Sequence, residues 1–227
     1  MPEIWPMCNC NYSRTFFPGS ITSKPMSKLD LRKELKRYYT AKKKPEIVDV
    51  PPGKFLSITG RGEPGGEEYT AALQALYGLS YTLKFMCKAG GRDFTVMGLE
   101  GLWWWDGDAV FTSEEAPPMD RWNWKSMIRQ PDFITKEMVE EPRAEVREKR
   151  GPAVDRVELE EFHEGLSAQV MHVGPYSEEE PTIRRLHEFI QEQEYKPRGR
   201  HHEIYLSDPR KTAPERLKTI IRQPIEK

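Results

Sequence analysis

Two short segments of this chain are near copies of each other: residues 125–131 read KSMIRQP and residues 218–224 read KTIIRQP, 93 positions apart with five identities in seven. A duplication constrains the fold strongly, because the other elements of each copy should recur in the same order. They do. A strand pattern, FLSITGRG at 55–62, runs into a helical stretch from about Gly66 to Lys88, and LSAQVMHVG at 166–174 runs into another from about Glu178 to Tyr195. Gly62 and Gly174 close the two strands 112 positions apart, and Glu100 in LEGLWWWD and Glu203 in HEIYLSD sit on short strands 103 apart. The offset falls from 112 to 103 to 93, so the first copy carries the longer loops. Each repeat therefore reads strand, helix, strand, strand.

The helices support this through their own spacing. In the first, Tyr69, Leu73, Leu76, Ser80 and Leu83 share a face, with Tyr77 and Tyr81 four apart on the flank. In the second, Ile183, Leu186, His187 and Ile190 form the stripe. Ser177 and Glu180 have capping-box spacing, and Pro181 falls in the first turn, where it is tolerated. One such unit cannot bury both sides of its sheet, so two should pack together. The expected architecture is α+β: tandem repeats, about 45–134 and about 153–227, with antiparallel sheets, pseudo-twofold symmetry and a central ligand groove. The charged run 136–150 reads as a short exposed helix and linker. Residues 1–26, with four prolines and no periodicity, read as a disordered extension. Residues 27–44 read as a basic amphipathic helix capped by Ser27, followed by a linker.

Composition excludes several functional classes. Over 227 residues, Lys+Arg 35 against Asp+Glu 36 leaves a net charge of -1, no field to draw nucleic acid or an anionic membrane. Residues 28–44 do hold eight Lys/Arg against two Asp/Glu, but no nucleic-acid-binding motif accompanies them. No run approaches the roughly 18 apolar residues of a membrane span, and the N-terminus lacks a secretory pattern, so a cytoplasmic location is expected. Cys8, Cys10 and Cys87 make no zinc-site spacing, and reduced thiols are expected. His201 and His202 point to opposite faces of a strand, and His163, His172 and His187 lie on separate elements, so no metal is expected. Gly60, Gly62 and Gly65 satisfy G-x-G-x-x-G, yet no acidic residue lies at the tip of a following strand about 20 positions on, so no dinucleotide or other cofactor is expected.

Function then rests on the carboxylate strands. Along HHEIYLSD the period of two sets Glu203, Tyr205 and Ser207 on one face, toward the groove, and Ile204 and Leu206 on the other, toward the helices. By the same count Glu100, Leu102 and Trp104 share a face, with Trp103 and Trp105 opposite. Five of six tryptophans lie between 103 and 124, more than one small sheet needs for its core. Aromatic walls around a carboxylate suit a small hydrophobic, planar or cationic ligand. A desolvated carboxylate can also move protons. A solvated edge glutamate beside a plain tryptophan core is the alternative on spacing alone.

GLEGLWW (98–104), KSMIRQPDF (125–133), MHVGPY (171–176) and HHEIYLSDPRKTAPERLKTIIRQP (201–224) resemble the GyrI-like small-molecule-binding family, over about Pro45 to Ile225. The resemblance implies a tandem strand-helix-strand-strand fold, shared with the effector-binding domains of multidrug-sensing regulators, and a central groove glutamate at the position of Glu203. No DNA-binding helix-turn-helix precedes the repeats, which disfavours a regulator. Some stand-alone members hydrolyse cyclopropane-bearing DNA-alkylating compounds through an aromatic cage, and this sequence is most similar to that type. The expectation is a xenobiotic-binding hydrolase in which Glu203, assisted by Tyr205 or Tyr176, orients water or moves a proton. Tyr69, Glu100, Trp104, Trp124, Tyr176, Glu203 and Tyr205 would bind the ligand. A non-catalytic sequestering protein is the alternative, and a module acting on a DNA-topology enzyme the third. The sequence leaves the physiological ligand and the oligomeric state open.

Overall fold

A computed structural model describes residues 28–107, 111 and 116–227. The expectations for residues 1–26, Ser27, Cys8 and Cys10 lie outside the described residues. In chain order the elements are α1 (Leu31–Glu34), β1 (Glu46–Val50), β2 (Gly53–Arg61), α2 (Glu67–Ala89), β3 (Leu99–Trp104), β4 (Asn123–Gln130), α3 (Lys136–Glu140) and α4 (Arg143–Arg150). Then come β5 (Glu158–Phe162), β6 (Gly165–Val173), α5 (Glu180–Glu192), β7 (Lys196–Pro197), β8 (His201–Tyr205) and β9 (Lys218–Glu226).

The strands form one curled antiparallel sheet, a half-barrel, in the order β1-β6-β9-β8-β3-β4-β2-β5, with β7 beside β9. The two repeats are β2-α2-β3-β4 and β6-α5-β8-β9, and they meet where β3 pairs β8. The sheet is continuous across that seam because each repeat alone would leave an unpaired edge at β3 or β8. Two further strands, unforeseen from the sequence, tie the halves together. β1 precedes the first repeat but pairs β6 of the second, while β5 precedes the second repeat but pairs β2 of the first. The exchange locks the pseudo-twofold arrangement, since neither half completes its sheet without a strand from the other.

The helices α2 and α5 each cover one half of the same sheet face. Leu73, Leu76, Leu79 and Leu83 of α2 pack with Leu56, Ile58 and Ile128. Ile183, Leu186 and Ile190 of α5 pack with Ala168, Val170 and Ile221 in a separate cluster. The run 136–150 departs from an exposed linker: α4 docks on α2 and buries Val146, and α3 buries Val139. Those valines recur at a spacing that the surrounding charges conceal.

The opposite face is closed by the segment 28–45. Its helix is much shorter than the basic helix expected from the sequence, spanning only Leu31–Glu34 and capped by Asp30, whose carboxylate accepts the Arg32 N–H. The chain then turns to insert Tyr38 and Tyr39, both buried, against the sheet. The duplicated IRQ triplet explains itself at that spot. Arg129 and Arg222, counterparts in the two copies, each place their guanidinium carbon 4.6 Å from the Tyr38 ring centroid. Tyr38 thus contacts matching cations from the two copies. No described helix is long and apolar enough to cross a membrane.

Candidate functional site

Between the two helices, over the β3–β8 seam, lies a cavity of about 710 Å³. Its size suits a drug-sized ligand. Tyr69 in the first turn of α2 and Ile183 in the first turn of α5 face each other across it, and Glu203, Tyr205, Leu99 and Trp103 form its floor. Trp105, Phe111, Trp122 and Pro117 to Met119 add an aromatic and apolar wall.

Three polar groups on the floor are linked in series. The Trp103 indole N–H donates to the Tyr205 hydroxyl at 3.1 Å, and that hydroxyl donates to Glu203 Oε2 at 2.7 Å. Glu203 Oε1 lies 3.2 Å from His201 Nε2, whose ring stacks on Phe111 at 4.3 Å between centroids. Burial and then the Glu203 charge push the Tyr205 phenol well above its ordinary range, so it stays a donor. Tyr176 meets Tyr205 edge to face at 5.5 Å, and burial raises its phenol as well. A second carboxyl group, Glu179, enters from the N-cap of α5; it is 5% exposed and has the Thr219 hydroxyl as a hydrogen-bond partner. Burial, then the charge of Glu203, hold the Glu179 carboxyl well above the usual carboxylate range.

The structure brings Tyr69, Tyr176, Glu203 and Tyr205 together around this cavity. Glu100, Trp104 and Trp124 are placed elsewhere. Across the seam Gly101 pairs Glu203 and Glu100 pairs Ile204. Through β4 and β9, Leu99 pairs Ile128 while Glu203 pairs Ile221, so the repeat counterpart of Glu203 is Leu99, 104 positions earlier, not Glu100 at 103. That one-residue slip reverses every side chain on β3. Glu100 is therefore buried on the reverse face, accepting hydrogen bonds from Tyr38 and Tyr39. Trp104 shares that orientation and stacks under the Arg200 guanidinium at 3.4 Å. Trp103 and Trp105 take the cavity positions assigned to it. Ile204 likewise faces Glu100 rather than the helices, because groove and helices occupy one face.

Trp124 does share the cavity face but is fully buried behind Tyr69, at 5.1 Å between ring centroids. Gly60 makes the space: a Cβ there would stand 2.3 Å from the indole. Glu179 was hidden because Ser177 and Glu180 looked like a capping pair. The helix instead starts at Glu180, with Glu179 as N-cap and no side-chain cap. Trp122, Phe111 and Met119 sit in a connection without periodicity, where only their composition gave a signal.

Gly101 offers a direct check on the floor. A Cβ there would lie 2.8 Å from Trp103 Nε1 and 3.3 Å from the Tyr205 hydroxyl. Gly101→Ala should push the indole and phenol apart, destabilise the protein by about 1–3 kcal/mol and weaken binding of a planar fluorescent dye by roughly tenfold. Trp104→Ala, on the other face, should leave dye affinity unchanged. The reverse ranking in a fluorescence titration would place the ligand elsewhere.

No group of three or more His, Cys, Asp or Glu side chains suited to a metal occurs among the described residues. The profile of the GyrI-like small molecule binding domain matches residues 43–226. Among solved structures, an uncharacterized conserved protein from Listeria innocua is 42% identical with a TM-score of 0.80, over 88% of this chain and 100% of that one. A hydrolase from Listeria innocua has the same identity and coverage at a TM-score of 0.76. The C-terminal domain of EcmrR, 11% identical over 81% of this chain and 98% of that one, superposes at 0.51, a likeness of fold. No curated protein matches the chain.

Proposed function

The chain belongs to the GyrI-like small-molecule-binding family, and on that premise we propose that it is a cytoplasmic hydrolase of strained, cyclopropane-bearing electrophiles, acting on xenobiotics of that kind. The observation that carries this reading is the series Trp103–Tyr205–Glu203 on the floor of an aromatic cavity. A cavity that only stored apolar ligands would gain nothing from a carboxylate on its floor, because desolvating a charge costs free energy that its hydrogen bonds repay only in part. The hydrolase name of the Listeria innocua relative supports the same reaction type.

In the proposed mechanism Tyr69, Trp103, Trp105 and Trp122 stack on the planar part of the ligand and fix the strained ring over Glu203. Holding the reactants in one geometry removes much of the entropic barrier. Glu203 accepts a proton from water as the water oxygen bonds to one ring carbon and the strained C–C bond breaks. The electron pair released goes to the other ring carbon or the group conjugated to it, which then takes up a proton, so that one water is added in total. Tyr205 fixes the carboxylate by donating to Oε2, and Tyr176 packs against Tyr205 to keep its hydroxyl in line. Trp103, in turn, orients the phenol.

Incubating the purified protein with a spiro-cyclopropane compound in oxygen-18 water tests this by mass spectrometry. The expected product carries one added labelled water and accumulates over many turnovers. Recovery of the compound unchanged, in one-to-one complex, would replace hydrolysis by sequestration. Capture of a topoisomerase with no ligand uptake would favour an interaction module.

A further inference from the structure

The net charge of -1 averages over a strong segregation. Residues 28–44 carry eight Lys/Arg against two Asp/Glu, a local excess of six, so the rest of the chain holds seven net negative charges. All eight cations are exposed. Lys33 faces Asp30 at 4.0 Å and Lys42 pairs Glu46 at 2.8 Å, whereas Lys36, Arg37, Lys43 and Lys44 enter no ion pair among the described residues. We infer that this segment, with Arg185 of α5, is a docking surface for the phosphate backbone of double-stranded DNA, bound without regard to base sequence. The inference does not depend on the hydrolase reading.

The backbone beneath these charges is fixed along its length. At the start, the Leu29 N–H donates to the Asp93 carbonyl at 3.0 Å and the Leu29 carbonyl accepts from the Thr95 N–H at 2.8 Å. In the middle, the buried Tyr38 and Tyr39 hydroxyls donate to Glu100 of β3. Further on, the Thr40 carbonyl accepts from Gln169 at 3.1 Å and the Lys42 carbonyl from the Met171 N–H at 2.7 Å, both residues of β6. The path from β3 to β6 crosses β8 and β9, which is three strand spacings or about 14 Å. Arg185 Nη2 meets the Lys43 carbonyl at 3.5 Å, so α5 lengthens the strip at its far end. Cations carried on an ordered backbone lose less freedom on binding than those of a loose tail.

The chemistry of the strip selects its partner. A DNA duplex carries one negative charge per about 1.7 Å of its axis, so a strip of this length meets several phosphates at once. An anionic membrane is gripped by cations that alternate with exposed apolar side chains, and unpaired bases by exposed rings. Residues 28–45 offer neither: the large exposed hydrophobic residues among those described are Phe85, Met119 and Val173, and the Tyr38 and Tyr39 rings are buried. Asp30, Glu34 and Glu46 lie within or beside the strip and keep its affinity in the micromolar range of non-specific binding. The segment covers the sheet face opposite the cavity, so docking there leaves the ligand site open.

Fluorescence anisotropy of a labelled DNA duplex of about 20 base pairs, titrated with the full chain, tests the surface. With about five phosphates neutralised, the logarithm of the affinity should fall against that of salt with a slope of about -4.5, a loss of roughly 500-fold between about 50 and about 200 mM. Lys36→Gln, Arg37→Gln, Lys43→Gln and Lys44→Gln together should weaken binding by roughly tenfold or more at about 50 mM salt and flatten the slope to about -1. Dye affinity in the cavity should stay as in the parent. Arg61→Gln, Arg156→Gln, Lys211→Gln and Arg216→Gln together remove the same charge from exposed positions elsewhere and should bind DNA like the parent. No duplex binding at about 50 mM salt, or equal weakening in both variants, would overturn the assignment. So would a single strand bound more tightly than the duplex, or uptake by phosphatidylserine vesicles without uptake of DNA.

Discussion

Glu203→Gln should hydrolyse a spiro-cyclopropane compound about 10²- to 10⁴-fold more slowly than the parent, the range expected when one general base is removed, while melting at nearly the same temperature. Glutamine keeps the shape of the side chain and still accepts the Tyr205 hydroxyl hydrogen bond through its amide oxygen. What it loses is basicity, so the loss should appear in turnover and far less in affinity. Tyr205→Phe provides the comparison. It removes the donor to Glu203 Oε2 and the acceptor of the Trp103 N–H, two contacts of 2.7 and 3.1 Å. Because the phenol works only through Glu203, the double variant should be little slower than Glu203→Gln alone. Such non-additivity marks groups that act as a unit. A Glu203→Gln protein with parental turnover would remove Glu203 from the reaction, and strictly additive losses would give Tyr205 a role apart from Glu203.

The sheet was legible from the sequence because the duplicated KSMIRQP and KTIIRQP segments become β4 and β9, each the middle strand of its half. The helices followed from their apolar spacing. The error at Glu100 has a specific origin: two glutamates on matched strands invited alignment at 103, whereas the strand register requires 104. Sequence similarity cannot settle a shift of one residue when the strand is short and tryptophan occupies both faces. β1 and β5 escaped notice for another reason. EIVDV and ELEEF are short edge strands that pair in the opposite repeat, so nothing local announces their partners. Part of the cavity wall was likewise out of reach, since Phe111, Trp122 and Met119 owe their position to the connection between β3 and β4.

The buried cluster on the reverse face yields the second large effect. His202 Nδ1 lies 3.0 Å from Glu164 and its Nε2 3.2 Å from Glu100, while Arg222 donates to Glu164 at 3.1 Å, all four side chains being buried. Arg222 also donates to the Tyr38 carbonyl at 2.8 Å, which ties the segment before β1 to β9. Burial opposes charge on Glu164, yet His202 and Arg222 outweigh it and bring its carboxyl down to about 2 from 4.5. Burial likewise opposes charge on His202, but Glu164 and Glu100 prevail and raise it from 6.5 to about 9. The depressed carboxyl contributes stability above pH 4.5 that is lost as pH falls toward about 2; the raised imidazole contributes stability below pH 6.5 that is lost as pH rises through about 9. Both limbs report largely one attraction, so removing Glu164 should flatten both. Glu164→Ala should also cost about 3–5 kcal/mol, because it strands Arg222 and His202 as buried cations with fewer partners. Urea denaturation across the pH range measures all three. A stability loss under about 1 kcal/mol, below the usual effect of breaking a buried pair, or an alkaline limb as steep as the parent's, would mean that the 28–45 segment is held by its tyrosine packing and not by this charge cluster.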